Sequence, residues 1–355
     1  MKILHTECFA VEMPLKEPYT IAYETLSSCT NLFIRATTDA GVTGFGCAAP
    51  DEGVTGETPG MTLDVYNSII EPGLKGADFS RVIRILEELK PGLTQNPSAL
   101  AMTDMLLYDL ISKKAGLPLY RFLGGFRKSI PTSITIGIMT ASETIEKARD
   151  YFRQGFRILK VKGGVSVEED IEKVALLRKT FGHDITMRFD ANQGYSVADA
   201  ISFVHATRNQ GVELLEQPTP KDNYEMLGKV SNSVSMPVMA DESLMNLRDV
   251  FSLTRDDLTD MINIKLMKVG GITEALHINS VARAAGVESM VGCMDESALA
   301  ISAGLHFALA RPNIFYADLD GHLDLINDPA KGAVILKAGI LYPNESPGMG
   351  VNTIS

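Results

Sequence analysis

The chain is short of basic residues, of paired cysteines and of long apolar runs. Lys and Arg number 33 against 44 Asp and Glu, for a net charge of −11. A nucleic-acid footprint needs a basic face, so no nucleic-acid partner is expected. An anionic small molecule stays open, because one metal ion and a few lysines reverse the field locally. No apolar run reaches the roughly 18 residues that a membrane span needs, so no membrane partner is expected. Residues 1–15 carry Glu7 and Glu12 and lack the apolar core of a secretion signal. Cys8, Cys29, Cys47 and Cys293 show no C-x-x-C spacing. Free thiols in a reducing cytoplasm are the expectation. No linker or low-complexity stretch stands out.

What is present is ordinary globular composition, 45% apolar and 22% charged, over 355 residues. That length fits one barrel plus a smaller domain. Residues 2–13, 31–38 and 42–48 read as strands, the last two joined by the turn Asp39-Ala40-Gly41. Helical windows follow at 61–73, 79–90 and 97–115. Ser98 is the expected N-cap of the third, and Gly116-Leu117-Pro118 its stop. From about residue 130, short apolar runs alternate with amphipathic windows. The runs are Thr132–Ile138, Ile158–Val161, Thr186–Phe189, Glu213–Leu215, Val238–Ala240, Met261–Ile264, Met290–Gly292 and Ile314–Ala317. Eight such units imply a parallel sheet closed as a TIM-type (β/α)7β barrel. The expected domains are an α+β cap (1–125), the barrel (126–322) and a C-terminal segment (323–355). A strand over Ala333–Leu341 in that segment is expected to return to the cap.

Charged residues end the runs. From Lys162 the steps to Asp190, Glu216, Asp241, Lys265, Asp295 and Asp318 are 28, 26, 25, 24, 30 and 23 residues. One βα unit fits each step, so the charges recur once per strand at one end. The C-terminal ends of barrel strands share one face, where the chemistry sits. A single charged strand end is as easily a solvated turn; seven in register are much harder to explain that way.

Asp190, Glu216 and Asp241 lie on successive strands with no His or Cys cluster nearby. Such a set suits a hard cation, Mg²⁺ by preference and one per chain. Without a cation, three converging carboxylates would raise one another's pKa. Lysines flank the acids in strand order: Lys160 and Lys162 before, Lys265 after. The second and sixth strands of a closed barrel are opposed, so Lys162 and Lys265 face each other across the acids. A lysine acts as a base when a nearby positive charge or desolvation brings its pKa toward neutrality, and Lys160 is positioned to supply such a charge to Lys162. Two opposed bases and a cation suggest proton removal α to a carboxylate, an enediolate, and return of a proton to the other face.

The motifs Lys160-Val161-Lys162, Phe189-Asp190-Ala191-Asn192-Gln193, Glu216-Gln217-Pro218, Ala240-Asp241-Glu242-Ser243 and Asn263-Ile264-Lys265 resemble those of the muconate-lactonizing-enzyme subgroup of the enolase superfamily. The resemblance covers the whole chain. It disfavours the mandelate-racemase branch, which has a His base after the seventh strand where this chain has Gly292-Cys293. Within the subgroup, Asp318-Leu319-Asp320 resembles the Asp-x-Asp signature of dipeptide epimerases. The resemblance implies that this pair holds a dipeptide's α-ammonium while the dipeptide's carboxylate meets the metal. Epimerases of the alanyl-glutamate type carry an Arg in the loop after Lys16-Glu17-Pro18, where this chain has Glu24. With Glu52 in the next loop and Asp295 after the seventh strand, this implies cationic or neutral dipeptides over acidic ones. Thr135 and Lys160 are further candidate substrate contacts, and Asn192 and Glu242 candidate supports of the metal site. Association into a homo-oligomer is expected. The alternatives are an o-succinylbenzoate synthase, an N-acylamino-acid racemase or a cycloisomerase, which have no use for the Asp318/Asp320 pair, and a non-catalytic metal-stabilised binding barrel, which has no use for opposed lysines.

Overall fold

A computed structural model describes residues 1–20 and 25–354. Strands β1 (Ile3–Thr20), β2 (Thr25–Thr38) and β3 (Thr43–Ala48) form an antiparallel sheet in that order. Leu32, Phe33 and Ile34 of β2 are all buried, so this central strand is covered on both faces. One cover is the helix Pro97–Lys114, sheathed in protein along most of its length. Gly46 of β3 permits the close approach: a Cβ there would lie 2.0 Å from the Met102 carbonyl oxygen. Asn96, not Ser98, occupies the N-cap of this helix, with Pro97 in its first turn. The Asn96 side chain makes no capping bond. Glu57, forty residues upstream, accepts from the Ser98 and Ala99 amides instead, at 2.8 and 3.3 Å.

The outer halves of β1 and β2 run further than the residue pattern suggested. Pro14 and Pro18 interrupt the apolar alternation, yet pairing continues through Tyr19↔Leu26 and Thr20↔Thr25. The resulting ribbon lies across the barrel. Lys16 donates its amide to the Asp324 carbonyl at 2.9 Å, Ile326 to Pro14 at 2.8 Å, and Ile138 to Thr20 at 2.9 Å.

After a short strand β4 (Ile130–Pro131) comes the barrel: β5 (Ile134–Ile136), β6 (Ile158–Lys162), β7 (Thr186–Asp190), β8 (Val212–Glu216), β9 (Val238–Ala240), β10 (Met261–Lys265), β11 (Glu288–Gly292) and β12 (Ile314–Asp318). They are parallel and in sequential order, with a helix across each of the seven connections. The ring closes where Thr132 bridges Ala317 and the Ser133 amide donates to the Ala317 carbonyl at 3.1 Å. This is the expected (β/α)7β barrel beneath an α+β cap. Its interior is filled by Leu214, Met239, Met261 and Met290, and by Arg188, which holds Glu213 at 2.7 Å and the Ala317 carbonyl at 3.0 Å. The chemistry is therefore confined to the mouth above this plug.

The run 333–341 is not one strand. Ala338 and Gly339 both have positive φ and turn it into a hairpin, β13 (Val334–Lys337) and β14 (Ile340–Pro343). That hairpin pairs with β4, not with the cap sheet. Residues 348–351 then reach the cap: Met349 donates to Asp109 Oδ1 at 2.8 Å and Lys113 to the Val351 carbonyl at 2.6 Å. Among the described residues no helix is long and apolar enough to cross a membrane.

Candidate active site

Strand register brings the charges to one level. Lys162 pairs with Asp190, Asp190 with Glu216, Lys265 with Gly292, and Gly292 with Asp318. Asp241 follows β9 directly. All these residues rim one cavity or lie just beneath it, and the ribbon supplies its outer wall through Leu15, Tyr19 and Leu26. Lysines and acids interleave there. Lys162 Nζ is 3.1 Å from Asn192 Oδ1 and 3.6 Å from Asp190 Oδ2. Lys265 Nζ is 2.7 Å from Asp241 Oδ2.

Lys160 sits one layer deeper. Its ammonium is 2.9 Å from Glu216 Oε2, 2.9 Å from Asp318 Oδ2 and 3.1 Å from Asp190 Oδ2. Burial lowers its affinity for the proton, but the three carboxylates outweigh burial and push its pKa well up. Lys160 therefore carries its positive charge in the fold, ringed by these acids, and that charge opposes Asp241 at Lys265. Lys265 also ends above the usual lysine range, because Asp241 outweighs burial.

Burial raises the Asp241 carboxyl, but Lys265, Lys268 and Lys160 outweigh it and hold the group ionised. Glu216 goes the other way: burial lifts it, and Lys160 only partly offsets that. Burial and the neighbouring Asp241 raise Glu242, whose Oε1 accepts a 3.4 Å bond from Asn192. Asn192 also donates its amide to Asp190 Oδ1 at 2.9 Å.

Among the described residues, no three His, Cys, Asp or Glu side chains already form a tight cation cage. The residues nevertheless fit a hard cation. Asp190 Oδ2, Glu216 Oε2, Asp241 Oδ2 and Glu242 Oε2 are buried oxygens that accept no well-aligned hydrogen bond. The first three only abut ammonium groups. Buried carboxylate oxygens without aligned donors are costly, and oxygen donors of this kind are what Mg²⁺ takes.

On the other side, Ser133 donates to Asp318 Oδ1 at 2.6 Å and the Thr135 amide to Asp320 Oδ2 at 2.6 Å. Burial raises Asp318, but Lys160 and the Ser133 bond outweigh it and keep the carboxyl low. Burial and the charge of Asp318 lift Asp320 to about 7. The two acids are thus unequal. Asp318 is engaged on both oxygens, whereas Asp320 Oδ1 has only a 3.9 Å contact from the Cys293 thiol among the described residues. Asp295 also lines the cavity. It accepts from the Tyr19 hydroxyl at 2.8 Å, and burial raises it to about 6.

One expected residue is not in this wall. Glu52 is exposed and turned outward. Asp51 accepts the Val54 amide at 3.0 Å, and this tight turn directs Asp51 and Val54 to the cavity while Glu52 faces water. Glu24 lies outside the described residues.

Two unexpected residues join the site. Asn263 donates to Glu216 Oε1 at 2.8 Å. It falls within the Asn263-Ile264-Lys265 motif, two residues before Lys265 and so on the same strand face, which is the signal that could have flagged it. Lys268 points at Asp241 from below. It lies one helical turn beyond Lys265, a spacing that reads as a surface lysine until the short helix Leu266–Val269 is seen to be buried.

Residues 143–353 match the family described as enolase C-terminal domain-like, and residues 3–124 the mandelate racemase / muconate lactonizing enzyme N-terminal domain. The chain belongs to this enolase-superfamily family. It is 42% identical over 355 residues to the L-Lys-D/L-Arg epimerase of Desulforapulum autotrophicum, covering all of both chains. The substrate-liganded L-Ala-D/L-Glu epimerase of Bacillus subtilis superposes with a TM-score of 0.97 at 35% identity, again over all of both chains. The dipeptide epimerase of Enterococcus faecalis, complexed with Mg and L-Leu-L-Tyr, gives 0.97 at 37% identity, covering 99% of this chain and 100% of that one.

Proposed function

We propose that this chain is a Mg²⁺-dependent dipeptide epimerase that inverts the α-carbon of the C-terminal residue by 1,1-proton transfer through an enediolate. The observation that carries the reading is the placement of Lys162 and Lys265. They end β6 and β10, four strands apart in a ring of eight, on opposite sides of the carboxylates. One lysine, as the free base, takes the α-proton from its side. The other, as the ammonium, returns a proton to the opposite face. Asp190, Glu216 and Asp241 would hold the cation, which when bound supplies positive charge beside the substrate carboxylate and lowers the cost of the charge that deprotonation creates.

Asp320, with Asp318 behind it, takes the substrate's α-ammonium. A cycloisomerase or an N-acylamino-acid racemase has no ammonium to place there. The outer wall carries Asp51, Asp295 and Asp324, while Lys147 beside them is already paired with Glu17 at 2.5 Å. That balance favours cationic or neutral side chains over acidic ones. The relatives' names support dipeptides as the class and include both cationic and acidic examples.

The deciding measurement is solvent deuterium appearing at the C-terminal α-carbon of a dipeptide library in D₂O, with Mg²⁺ and with EDTA. Exchange should occur only with Mg²⁺, most strongly for lysine- and arginine-containing dipeptides. Lys162→Ala and Lys265→Ala should each lower epimerisation about 10²–10⁴-fold. Strong turnover of alanyl-glutamate with none of the cationic dipeptides would sink the side-chain preference. No exchange in any dipeptide would sink the epimerase reading.

A further inference from the structure

Lys268 is the most deeply buried lysine or arginine among the described residues, at 1% exposure, and the reaction above does not use it. Its ammonium donates to Asp241 twice, to the backbone carbonyl and, at 2.5 Å, to Oδ1. No other acceptor for it is found among the described residues. Asp241 is therefore gripped from two sides, by Lys268 on Oδ1 and by Lys265 on Oδ2. The two lysines differ in what surrounds them. Lys265 lines the cavity, whereas Lys268 lies beneath the rim and cannot meet a ligand there.

The fold holds Lys268 in place. It rides on Leu266–Val269, and the chain then leaves through Gly270 and Gly271, both at positive φ. A Cβ on Gly271 would lie 2.6 Å from the Asp104 Cβ, so the exit admits no side chain. Asp104 in turn accepts the Ile272 and Thr273 amides, at 2.6 and 3.1 Å, tying the segment to the helix Pro97–Lys114. Lys268 is thus a rigidly mounted cation aimed at the rear of one candidate metal ligand.

We infer that Lys268 is a positioning residue and counter-charge for Asp241, which lets the carboxylate site keep its folded arrangement whether or not a divalent cation is bound. The inference rests on the cation-binding reading of Asp190, Glu216 and Asp241. A buried carboxylate that loses its partner is strongly destabilising. With Lys268 present, the fold does not need the metal to neutralise Asp241. Without Lys268, Asp241 keeps only Lys265 and, further off, Lys160, the metal becomes the main added neutraliser, and folding and metal binding become linked.

The test is Lys268→Met, which keeps the apolar stem and removes the charge. The variant is purified in Mg²⁺, and its Tm and that of the parent are measured in excess Mg²⁺ and in EDTA. The drop in Tm caused by the substitution should be at least about 5 °C larger in EDTA than in Mg²⁺. Mn²⁺ titration followed by electron paramagnetic resonance should show binding about tenfold tighter than in the parent. Equal drops in the two buffers would mean that Lys268 only fills space, and would overturn the inference. Should Lys268→Met fail to fold even in Mg²⁺, Asp241→Asn/Lys268→Met decides. That pair removes both charges and should recover a metal-independent Tm, whereas a double variant that also fails to fold overturns the inference. A parent chain that binds neither Mn²⁺ nor Mg²⁺ refutes the cation reading itself, which is distinguishable from failure of the role given to Lys268.

Discussion

The two acids of the Asp318-Leu319-Asp320 motif do different work because their surroundings differ by a few hydrogen bonds. Asp318 is saturated by Ser133 and Lys160, while Asp320 keeps one oxygen open toward the cavity. Burial together with Asp318 lifts Asp320 to about 7, with Lys160 opposing and the raised Cys293 thiol staying neutral nearby. An acid with a raised pKa is neutral below that value and charged above it. A cationic ammonium should therefore bind better as pH rises through 7. KM for a dipeptide should fall between about pH 6 and pH 8 in the parent. In Asp320→Asn the fall centred on pH 7 should be lost and KM should be about 10–100-fold higher, the loss of one charge-assisted hydrogen bond. Equal pH profiles in the two proteins would remove Asp320 from ammonium binding. At this scale the residue pattern revealed the charges that end strands, because their spacing follows the βα repeat. It could not rank Asp318 against Asp320, since the ranking depends on Ser133 and Thr135, which are remote in sequence. Nor could it separate Asp51 from Glu52, because a single tight turn decides which of two adjacent acids faces inward.

At the scale of elements, the helix Pro97–Lys114 shows how the cap is welded to the rest. Its N-terminal amides are satisfied by Glu57, and its Asp104 and Asp109 satisfy the Ile272, Thr273, Phe45 and Met349 amides. Glu57 and Asp104 thus cap from a distance the helices that start at Pro97 and Ile272, while Asp109 ties strand β3 and the C-terminal segment to the helix. Glu57 also ends the loop that carries Asp51 and Val54 to the cavity. Glu57→Ala would leave two buried amides without acceptors, so urea unfolding should show a lower midpoint at unchanged slope, a stability loss of about 2–3 kcal/mol, with Glu57→Gln recovering much of it. A loss below about 0.5 kcal/mol would mean that water replaces the carboxylate. Eight barrel runs and three cap strands were legible because periodicity and turn residues are local signals. The ribbon beyond Met13 and the caps supplied from a distance were not. Prolines mask the ribbon's alternation, and a cap forty residues away has no sequence signature.

For the whole molecule, the buried histidine between cap helices and barrel gives acid sensitivity a sign. His306 accepts the Tyr120 amide on Nδ1 at 2.9 Å, and burial depresses it to about 3. The unfolded chain takes up this proton near pH 6.5 and the folded chain does not until about 3. Stability is therefore lost as pH falls through that window, at up to about 1.4 kcal/mol per pH unit. Asp104, lifted by burial to about 7, works in the opposite sense over part of the same range. His306→Asn retains an acceptor and all other groups, so the difference in slope isolates the histidine. Urea midpoints between about pH 4 and 6 should decline less steeply in the variant; parallel declines would show that His306 is protonated in the fold.

The register of β6, β7 and β8 places Lys162, Asp190 and Glu216 side by side. In a strand, neighbouring side chains point to opposite faces, so sliding one strand by a single residue sends its functional group out of the barrel and an apolar neighbour in. Point substitutions along these strands change one group at a time. A one-residue insertion or deletion within a strand re-aims every group on it at once, while the same change in the connection before β7, where Gly182, His183 and Asp184 are exposed, leaves the ladder intact. The barrel of this chain thus tolerates changes of composition far more readily than changes of length, and its history of insertions should be written in its loops.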